Sequence, residues 1–202
     1  MTHRDSALRP SPSQDTPLQR LGASLRQYRQ QRGLTHRTLA ARIGIRHSYI
    51  SEIERGKRNI SVLTLLRITT VLQLPAAWLL GQVDPHAVQP SATAHDPERA
   101  YGARDDAPMA AAGPPRPLGD PSTLLPLLGT TIRQARQRQG LSQAALAGKT
   151  GLSLTYIIEI ENGHRNLSVL SLLRITDALA LPVASLLMPL DPYHPSAPSR
   201  PP

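Results

Sequence analysis

The sequence predicts an all-α protein made of two similar helical units separated by a linker. Residues 21–80 recur at 128–187 without a gap, and 33 of the 60 aligned positions are identical. Within each copy, apolar residues recur at the three- and four-residue spacing of one helix face. The segment between the copies is rich in Pro, Ala and Asp and lacks such spacing, which is typical of a disordered linker.

These observations divide the 202 residues into five segments. Each helical unit has about 65 residues, which is near the lower limit for a chain that folds alone. The segments are a disordered N-terminus at 1–17, a first helical unit at 18–82, the disordered linker at 83–123, a second helical unit at 124–190 and a disordered tail at 191–202.

The first helix of the first unit is predicted over residues 18–32, and Gly33 follows where a helix of this length ends. Its apolar face is formed by Leu18, Leu21, Leu25 and Tyr28. A short second helix begins after Thr35, because a threonine side chain can accept a hydrogen bond from the free N–H groups of a first turn. Its buried side is formed by Leu39, Ala40 and Ile43.

A tight turn and three further helices complete the unit. Gly44 supplies the left-handed backbone that the turn needs, and the third helix is predicted over residues 47–54. Ser61 caps a fourth helix that reaches about residue 73, and Pro75 opens a fifth at its first position. The second unit repeats this pattern, from a first apolar face at Leu125, Leu128, Ile132 and Ala135 to a proline at Pro182.

The stretch from residue 36 to residue 55 has the spacing of a helix-turn-helix. Ala40 allows two helices to cross closely, Gly44 makes the turn, and Ile50 and Ile53 fix the second helix on the core with its other side outward. The second unit places the equivalent residues at the same intervals: Ala147, Gly151, Ile157 and Ile160. Two matches in register make this pattern far more specific than one.

On these residues the chain resembles the XRE-type (Cro and phage-repressor) helix-turn-helix family over about 130 of 202 residues. The stretches GLTHRTLAARIGIRHSYISEIERGKRNIS and GLSQAALAGKTGLSLTYIIEIENGHRNLS look most like the controller proteins of restriction-modification systems. The resemblance implies two five-helix, lambda-repressor-like domains. It further implies that the third helix enters the major groove of DNA, that flanking residues grip phosphates, and that members work as symmetric dimers.

The resemblance also assigns residues to these roles by position. The expected base-reading residues are Arg46, His47, Ser48, Tyr49, Ser51 and Glu52 in the first unit, and Ser153, Leu154, Thr155, Tyr156, Ile158 and Glu159 in the second. The expected phosphate contacts are Thr35, His36, Lys57, Arg58 and Asn59, and Ser142, Gln143, His164, Arg165 and Asn166. For both tyrosines, packing of the ring against the helix pair is an equal alternative.

The third helix of each unit, which the resemblance implies reads the DNA, is here called its reading helix. The two reading helices differ in the side chains that they offer to bases. Arg46 and His47 can donate to guanine, and Glu52 can accept from cytosine, whereas Leu154 and Ile158 can only touch thymine methyl groups. Residues 18–82 carry 11 basic and 2 acidic side chains, while residues 124–189 carry 6 and 3. We therefore expect the first unit to be the stronger reader of DNA.

Two glutamates near the end of the third helices have a different expected role. The family has an ion pair between its first and third helices, and the matching residues here are Arg29 with Glu54 and Arg136 with Glu161. A glutamate facing phosphate would repel it, whereas one paired inward does not. We therefore expect both pairs to be structural.

Composition restricts the function further. The net charge of +9 favours a polyanionic partner. The chain has no cysteine, its histidines show no metal-ligand spacing, and neither a signal peptide nor a membrane span is evident, so we expect a cytoplasmic protein without metal or cofactor. No nucleophile motif or phosphate-binding glycine loop indicates an enzyme. Six aromatic residues are too few for single-strand stacking.

The sequence thus predicts a sequence-specific regulator of transcription that binds double-stranded DNA through two headpieces. The alternative is an antitoxin-like protein-interaction module with the same fold and little base reading. The sequence leaves open whether the units pack together, remain separate, or let chains self-associate through four leucines: Leu79, Leu80, Leu186 and Leu187.

Overall fold

The computed structural model describes residues 16–84 and 118–192. The expected disorder of residues 1–15, 85–117 and 193–202 lies outside the described residues. The described part is helical, with no strand, and its two units are built from equivalent helices. No helix in this part of the chain has the length and apolar character needed to cross a membrane.

The first unit contains five helices whose bounds lie close to those predicted. They are α1 (Pro17–Gln31), α2 (His36–Ile43), α3 (His47–Glu54), α4 (Val62–Leu72) and α5 (Ala76–Gly81). Side chains of Thr16, Thr35 and Ser61 cap three of them at their N-termini. Pro75 lies one position before α5 instead of inside it, because its ψ of 126° is extended.

The second unit repeats the arrangement. Its helices are α6 (Pro121–Arg138), α7 (Gln143–Thr150), α8 (Leu154–Glu161), α9 (Val169–Ala178) and α10 (Ala184–Leu187), followed by a 3-10 turn at Met188–Leu190. Helix α6 begins upstream of the predicted unit boundary, and Leu124 takes the buried position expected of Leu125, which is half-buried. Pro182 precedes α10 by two residues.

The two units share one hydrophobic core. Helix α5 packs against α10, and α4 against α9. The four leucines for which the sequence left the partner open are almost fully buried inside this single chain: Leu79, Leu80, Leu186 and Leu187. Their surface is therefore already covered within the molecule and is not available for association between chains.

Reciprocal hydrogen bonds relate the two units by a local two-fold axis. Ser61 and Ser168, which are equivalent in the repeat, face each other in an isolated antiparallel bridge. The amide of Val62 donates to the carbonyl of Leu167 at 2.9 Å, and the equivalent amide of Val169 donates to Ile60 at 2.8 Å. An interface in which equivalent residues exchange partners is isologous, as in two-fold dimers.

Two buried aspartates also join the two units, at the fifth helices. The carboxylate of Asp84 accepts from the amide of Val183 at 2.6 Å, and that of Asp191 accepts from Ala77 at 3.4 Å. Each aspartate follows the fifth helix of its own unit and binds the start of the fifth helix in the other. Residues 83 and 84, expected in the disordered linker, are buried for this reason, and so is Asp191, expected in the disordered tail.

Candidate nucleic-acid interface

Helices α2 and α3 form the predicted helix-turn-helix. Gly44 is left-handed, with a φ of 72°, and lets the chain reverse between the helices. Ile50 and Ile53 are buried, which fixes α3 on the core and leaves its other side in solvent. In the second unit Gly151, with a φ of 66°, and the buried Ile157 and Ile160 place α8 in the same way.

The exposed side of each reading helix carries the residues expected to read bases. In the first unit Arg46, His47 and Ser48 are exposed at the start of α3, whereas Tyr49, Ser51 and Glu52 are half-buried. In the second unit Ser153, Leu154, Thr155 and Ile158 are exposed, and Tyr156 and Glu159 are half-buried.

The N-cap positions of the two reading helices differ. The side chain of Arg46 makes no capping hydrogen bond, so its guanidinium is not used by the helix start. The hydroxyl oxygen of Ser153 instead accepts from the amide of Tyr156 at 3.2 Å. Ser153 therefore serves its own helix, and only its hydroxyl proton is left to meet a ligand.

A cluster of three side chains, here called the arginine clasp, recurs in both units. The guanidinium of Arg58 lies 5.8 Å from the ring centre of Tyr49 and binds the carboxylate of Glu52. The clasp of the second unit consists of Tyr156, Glu159 and Arg165, with Arg165 donating to Glu159 at 2.6 Å and lying 5.2 Å from the ring. The hydrogen bond that each arginine donates to its glutamate raises the pKa of that arginine.

The clasps join residues that the resemblance had assigned to separate roles. Glu52 and Arg58, expected at a base and at a phosphate, bind each other, and both tyrosine rings pack against the core while they carry the cation. Sequence reasoning missed this pairing. The signal was present, because tyrosine, glutamate and arginine stand at the same intervals in both units.

The two expected pairs between first and third helices are close and inward. Arg29 donates twice to Glu54, at 2.6 and 3.0 Å, and His36 Nε2 lies 2.9 Å from the same carboxylate. Arg136 donates twice to Glu161, at 2.6 and 2.9 Å, and the amide nitrogen of Gln143 donates to it at 2.9 Å. His36 and Gln143, at the starts of the second helices, are thus tied to the reading helices.

These contacts control the charge of both glutamates. Burial raises the pKa of Glu54, but the hydrogen bonds and the charge attraction of Arg29 and His36 together outweigh burial, and the net effect is a lowered pKa. Burial likewise raises the pKa of Glu161, and the hydrogen bonds from Arg136 and Gln143 together with the charges of Arg136 and Arg133 more than offset it. Both carboxylates are therefore ionised at neutral pH and are partnered inside the protein.

Besides His36, Gln143 and the two clasp arginines described above, six residues were expected at phosphates, and these six separate into two groups. Lys57 and His164 are exposed in the loops after the reading helices, and the hydroxyl oxygens of Thr35 and Ser142 accept from amides three residues on as N-caps. The second group consists of Asn59 and Asn166, which lie in the contact between the units.

Asn59 and Asn166 make hydrogen bonds between the two units. The side chain of Asn59 donates to Ser168 Oγ at 2.9 Å and accepts from the amide of Leu170 at 3.2 Å, and that of Asn166 accepts from Leu63 at 3.5 Å. Each stands two residues before a bridged serine and is therefore drawn into the interface. These hydrogen bonds join the two units, while Asn59 itself remains exposed.

Further cations lie on the helix-turn-helix of the first unit that motif reasoning did not single out. Arg37, Arg42 and Arg55 are exposed, and the equivalent residues of the second unit are Ala144, Lys149 and Asn162. The larger number of basic residues in the first repeat of the sequence indicates this difference. Among residues 16–84 and 118–192, no group of His, Asp or Glu is arranged to hold a metal ion.

Comparison with known proteins gives a family match in each unit. The model of the helix-turn-helix family HTH_3 matches residues 25–79 and 132–186, which together are more than half of the chain. Among solved structures, the restriction-modification controller protein C.AhdI from Aeromonas hydrophila is 35% identical. It matches 31% of this chain and 94% of its own, with a TM-score of 0.30.

Similar curated proteins are named as transcriptional regulators. RamB from Mycobacterium tuberculosis (strain CDC 1551 / Oshkosh) is 37% identical over 68 residues, and PrpR from strain ATCC 25618 / H37Rv is 37% identical over 67. These matches cover 34% and 33% of this chain but only 14% of each regulator. The uncharacterized regulator y4dJ from Sinorhizobium fredii (strain NBRC 101917 / NGR234) is 33% identical over 64 residues, 32% of this chain and 83% of its own length.

Proposed function

Because this chain belongs to the helix-turn-helix family HTH_3, we propose that it is a transcriptional regulator that binds a specific sequence in double-stranded DNA. The observation that carries the proposal is the start of α3. Arg46 and His47 are exposed there, on a helix that Ile50 and Ile53 hold rigidly on the core. Arginine donates to the O6 and N7 atoms of guanine in the major groove, which is the commonest specific contact to a base.

One chain supplies both headpieces. Dimeric helix-turn-helix proteins place two reading helices on two half-sites, and their two-fold symmetry matches an inverted repeat in the DNA. Here the reciprocal bonds around Ser61 and Ser168 relate the units in the same manner within a single molecule. We therefore expect one chain to bind one duplex, without a concentration-dependent dimerisation step.

The first unit is proposed to be the stronger reader. It carries 11 basic and 2 acidic side chains over residues 18–82, against 6 and 3 over residues 124–189. Each phosphate that is neutralised releases counterions, which strengthens binding at low salt. The guanidinium and imidazole donors at the start of α3 are replaced in the second unit by the hydroxyl of Ser153 and the apolar side chain of Leu154.

The test uses the full chain on a duplex selected from random sequences. Replacing Arg46 and His47 by alanine is expected to weaken binding about 10- to 100-fold, because a good contact to a base contributes about 1–3 kcal/mol. The matched variant replaces Ser153 and Leu154 by alanine and is expected to lose less. Fluorescence anisotropy titrations at several salt concentrations give the affinity and the stoichiometry. They also give the slope of log K against log salt concentration, which is about −0.9 per neutralised phosphate.

Equal losses in the two variants would reject the dominance of the first unit. Two chains per duplex would reject the single-molecule mode of binding.

A second candidate function is a protein-interaction module that uses the same fold without reading bases. The observation in its favour is the exposed apolar pair on α8, with 44% of Leu154 and 36% of Ile158 accessible to solvent. If no duplex is enriched at low salt and circular dichroism shows an intact helical fold, this candidate replaces the first.

A further inference from the structure

The reading helix of the second unit exposes apolar side chains where its counterpart exposes polar ones. Leu154 and Ile158 stand four residues apart and therefore lie on one face of α8. Within the described residues, large hydrophobic side chains are exposed at four positions, all of them in the second unit: Leu127, Leu154, Ile158 and Met188. Two of these four positions lie on the reading helix.

The framework around this pair is the same in both units. The arginine clasp of Tyr156, Glu159 and Arg165 repeats that of the first unit, and Ile157 and Ile160 anchor α8 as Ile50 and Ile53 anchor α3. The two units therefore differ in the side chains that α3 and α8 expose to solvent, while the residues that hold these helices on the core are equivalent. His47 and Ser51 stand where Leu154 and Ile158 stand.

The surroundings of the pair fit a duplex better than an apolar protein surface. Lys149 and Arg165 are exposed next to α8 on either side of it in the chain, and the start of α7 carries Ser142 and Gln143. The apolar group that a duplex offers in its major groove is the C5 methyl of thymine, and aliphatic side chains are suited to contact it. Two isolated side chains match such small targets.

We propose that the DNA site of this chain is an inverted repeat with chemically unequal halves, in which Leu154 and Ile158 select thymines by their methyl groups. The other half contains guanine, to which Arg46 and His47 donate. This inference rests on the proposed function. Because a local two-fold axis relates the two units, α3 and α8 read their half-sites in opposite directions along the duplex. The different side chains on α3 and α8 make the site asymmetric.

The test removes thymine methyl groups from one half at a time. The full chain is titrated onto three versions of its selected duplex. Deoxyuridine replaces the thymidines of the guanine-containing half, of the other half, or of neither. Uracil keeps the hydrogen-bonding edge of thymine and lacks only the methyl. Replacing the thymidines opposite Leu154 and Ile158 is expected to lower the affinity about three- to fourfold for each methyl group that is buried in the complex. Replacing those of the guanine-containing half is expected to leave the affinity unchanged.

A double-mutant comparison assigns the effect to the two side chains. In the variant with Leu154→Ala and Ile158→Ala, the loss of affinity on uridine substitution is expected to be much smaller than in the wild-type chain, because alanine buries less of each methyl group. Met188→Ala changes an equally exposed hydrophobic residue outside the reading helix and is expected to keep the full sensitivity to the methyl groups.

Three outcomes would overturn the inference while leaving DNA binding intact. They are a selected site with identical halves, no loss on uridine substitution in either half, and an equal loss in the wild-type chain and the double variant. Failure to select any duplex at low salt would instead remove the proposed function itself.

Discussion

The side chains of Arg136 and Glu161 form the most buried ion pair in the described part of the chain. The carboxylate has no solvent-exposed surface, and besides its two bonds to Arg136 it meets Gln143 and lies 3.5 Å from Arg133. Burial of a charge is costly unless partners replace water, and here donors surround the carboxylate. The pair therefore joins the first, second and third helices of the unit at one point.

Glu161→Gln is expected to destabilise the protein by about 3–5 kcal/mol, because it leaves the buried Arg136 without its counter-charge. The matched control is Glu159→Gln, two residues earlier on the same helix, whose pair with Arg165 is largely exposed and contributes little. Urea denaturation followed by circular dichroism measures both. Similar losses in the two variants would contradict a special role of the buried pair.

Acid provides an independent check at the same residue. Since the pKa of Glu161 is lowered by folding, its contribution to stability is complete above its unfolded pKa, about 4.3, and is lost as the pH falls through the folded value. The stability difference between wild type and Glu161→Gln is therefore expected to be greatest near pH 7 and to shrink below pH of about 4. A difference that stays constant with pH would argue against the ionised pair.

At the scale of elements, the contact between the first and third helices of each unit depends on a glycine. A Cβ at Gly129 would lie 2.4 Å from the carbonyl oxygen of Ile160, and a Cβ at Gly22 would lie 2.5 Å from that of Ile53. The obstacle is backbone, which cannot rotate away. These glycines let α1 and α6 approach the ends of the reading helices closely, so the packing that orients α3 and α8 depends on them.

Gly129→Ala is expected to destabilise the protein by about 1–3 kcal/mol through overpacking, although alanine is the better helix former. Gly148→Ala, inside α7 with no atom within 4 Å of the new Cβ, is the control and is expected to stabilise by up to about 1 kcal/mol. The change in stability of both variants is measured by thermal unfolding. A stabilised Gly129→Ala would show that α6 and α8 are not in tight contact.

At the scale of the whole molecule, the two units behave as halves of one folded body. Their cores are continuous, the equivalent helices α5 and α10 pack on each other, and hydrogen bonds join the units at the serine bridge and at the aspartates beyond the fifth helices. Each unit alone would expose the leucines of its fifth helix to water. Unfolding one half therefore removes the cover from the other.

Leu187→Ala in the second unit is expected to lower the unfolding midpoint reported by Trp78, which lies in the first unit. Trp78 is the sole tryptophan and contacts Tyr28 of its own unit edge-on at 5.3 Å, so its fluorescence reports on the first unit. Removing the buried leucine costs about 2–5 kcal/mol, whereas Met188→Ala, on the exposed neighbour, is the control. An unchanged Trp78 midpoint in Leu187→Ala would mean that the units fold independently.

Much of the local structure follows from the sequence. The bounds of α3 and the caps at Thr35 and Ser61 rest on residues close together in the chain, where helix period and capping chemistry apply directly. The pair of Arg29 with Glu54, 25 residues apart, was accessible only through the resemblance to a family. The clasp of Tyr49, Glu52 and Arg58 was missed because the first two were expected at bases and Arg58 at a phosphate.

The sequence by itself determined that the chain holds two helix-turn-helix units with different outward chemistry, because periodicity, turn glycines and the repeat are local or internal signals. Only the tertiary structure decided that the units join around a two-fold axis. Asn59 and Ser168, which are 109 residues apart, meet there. An apolar helix face has the same pattern whether it is covered by its own unit or by another, so burial of Leu79 and Leu187 against a partner unit could not be inferred from spacing alone.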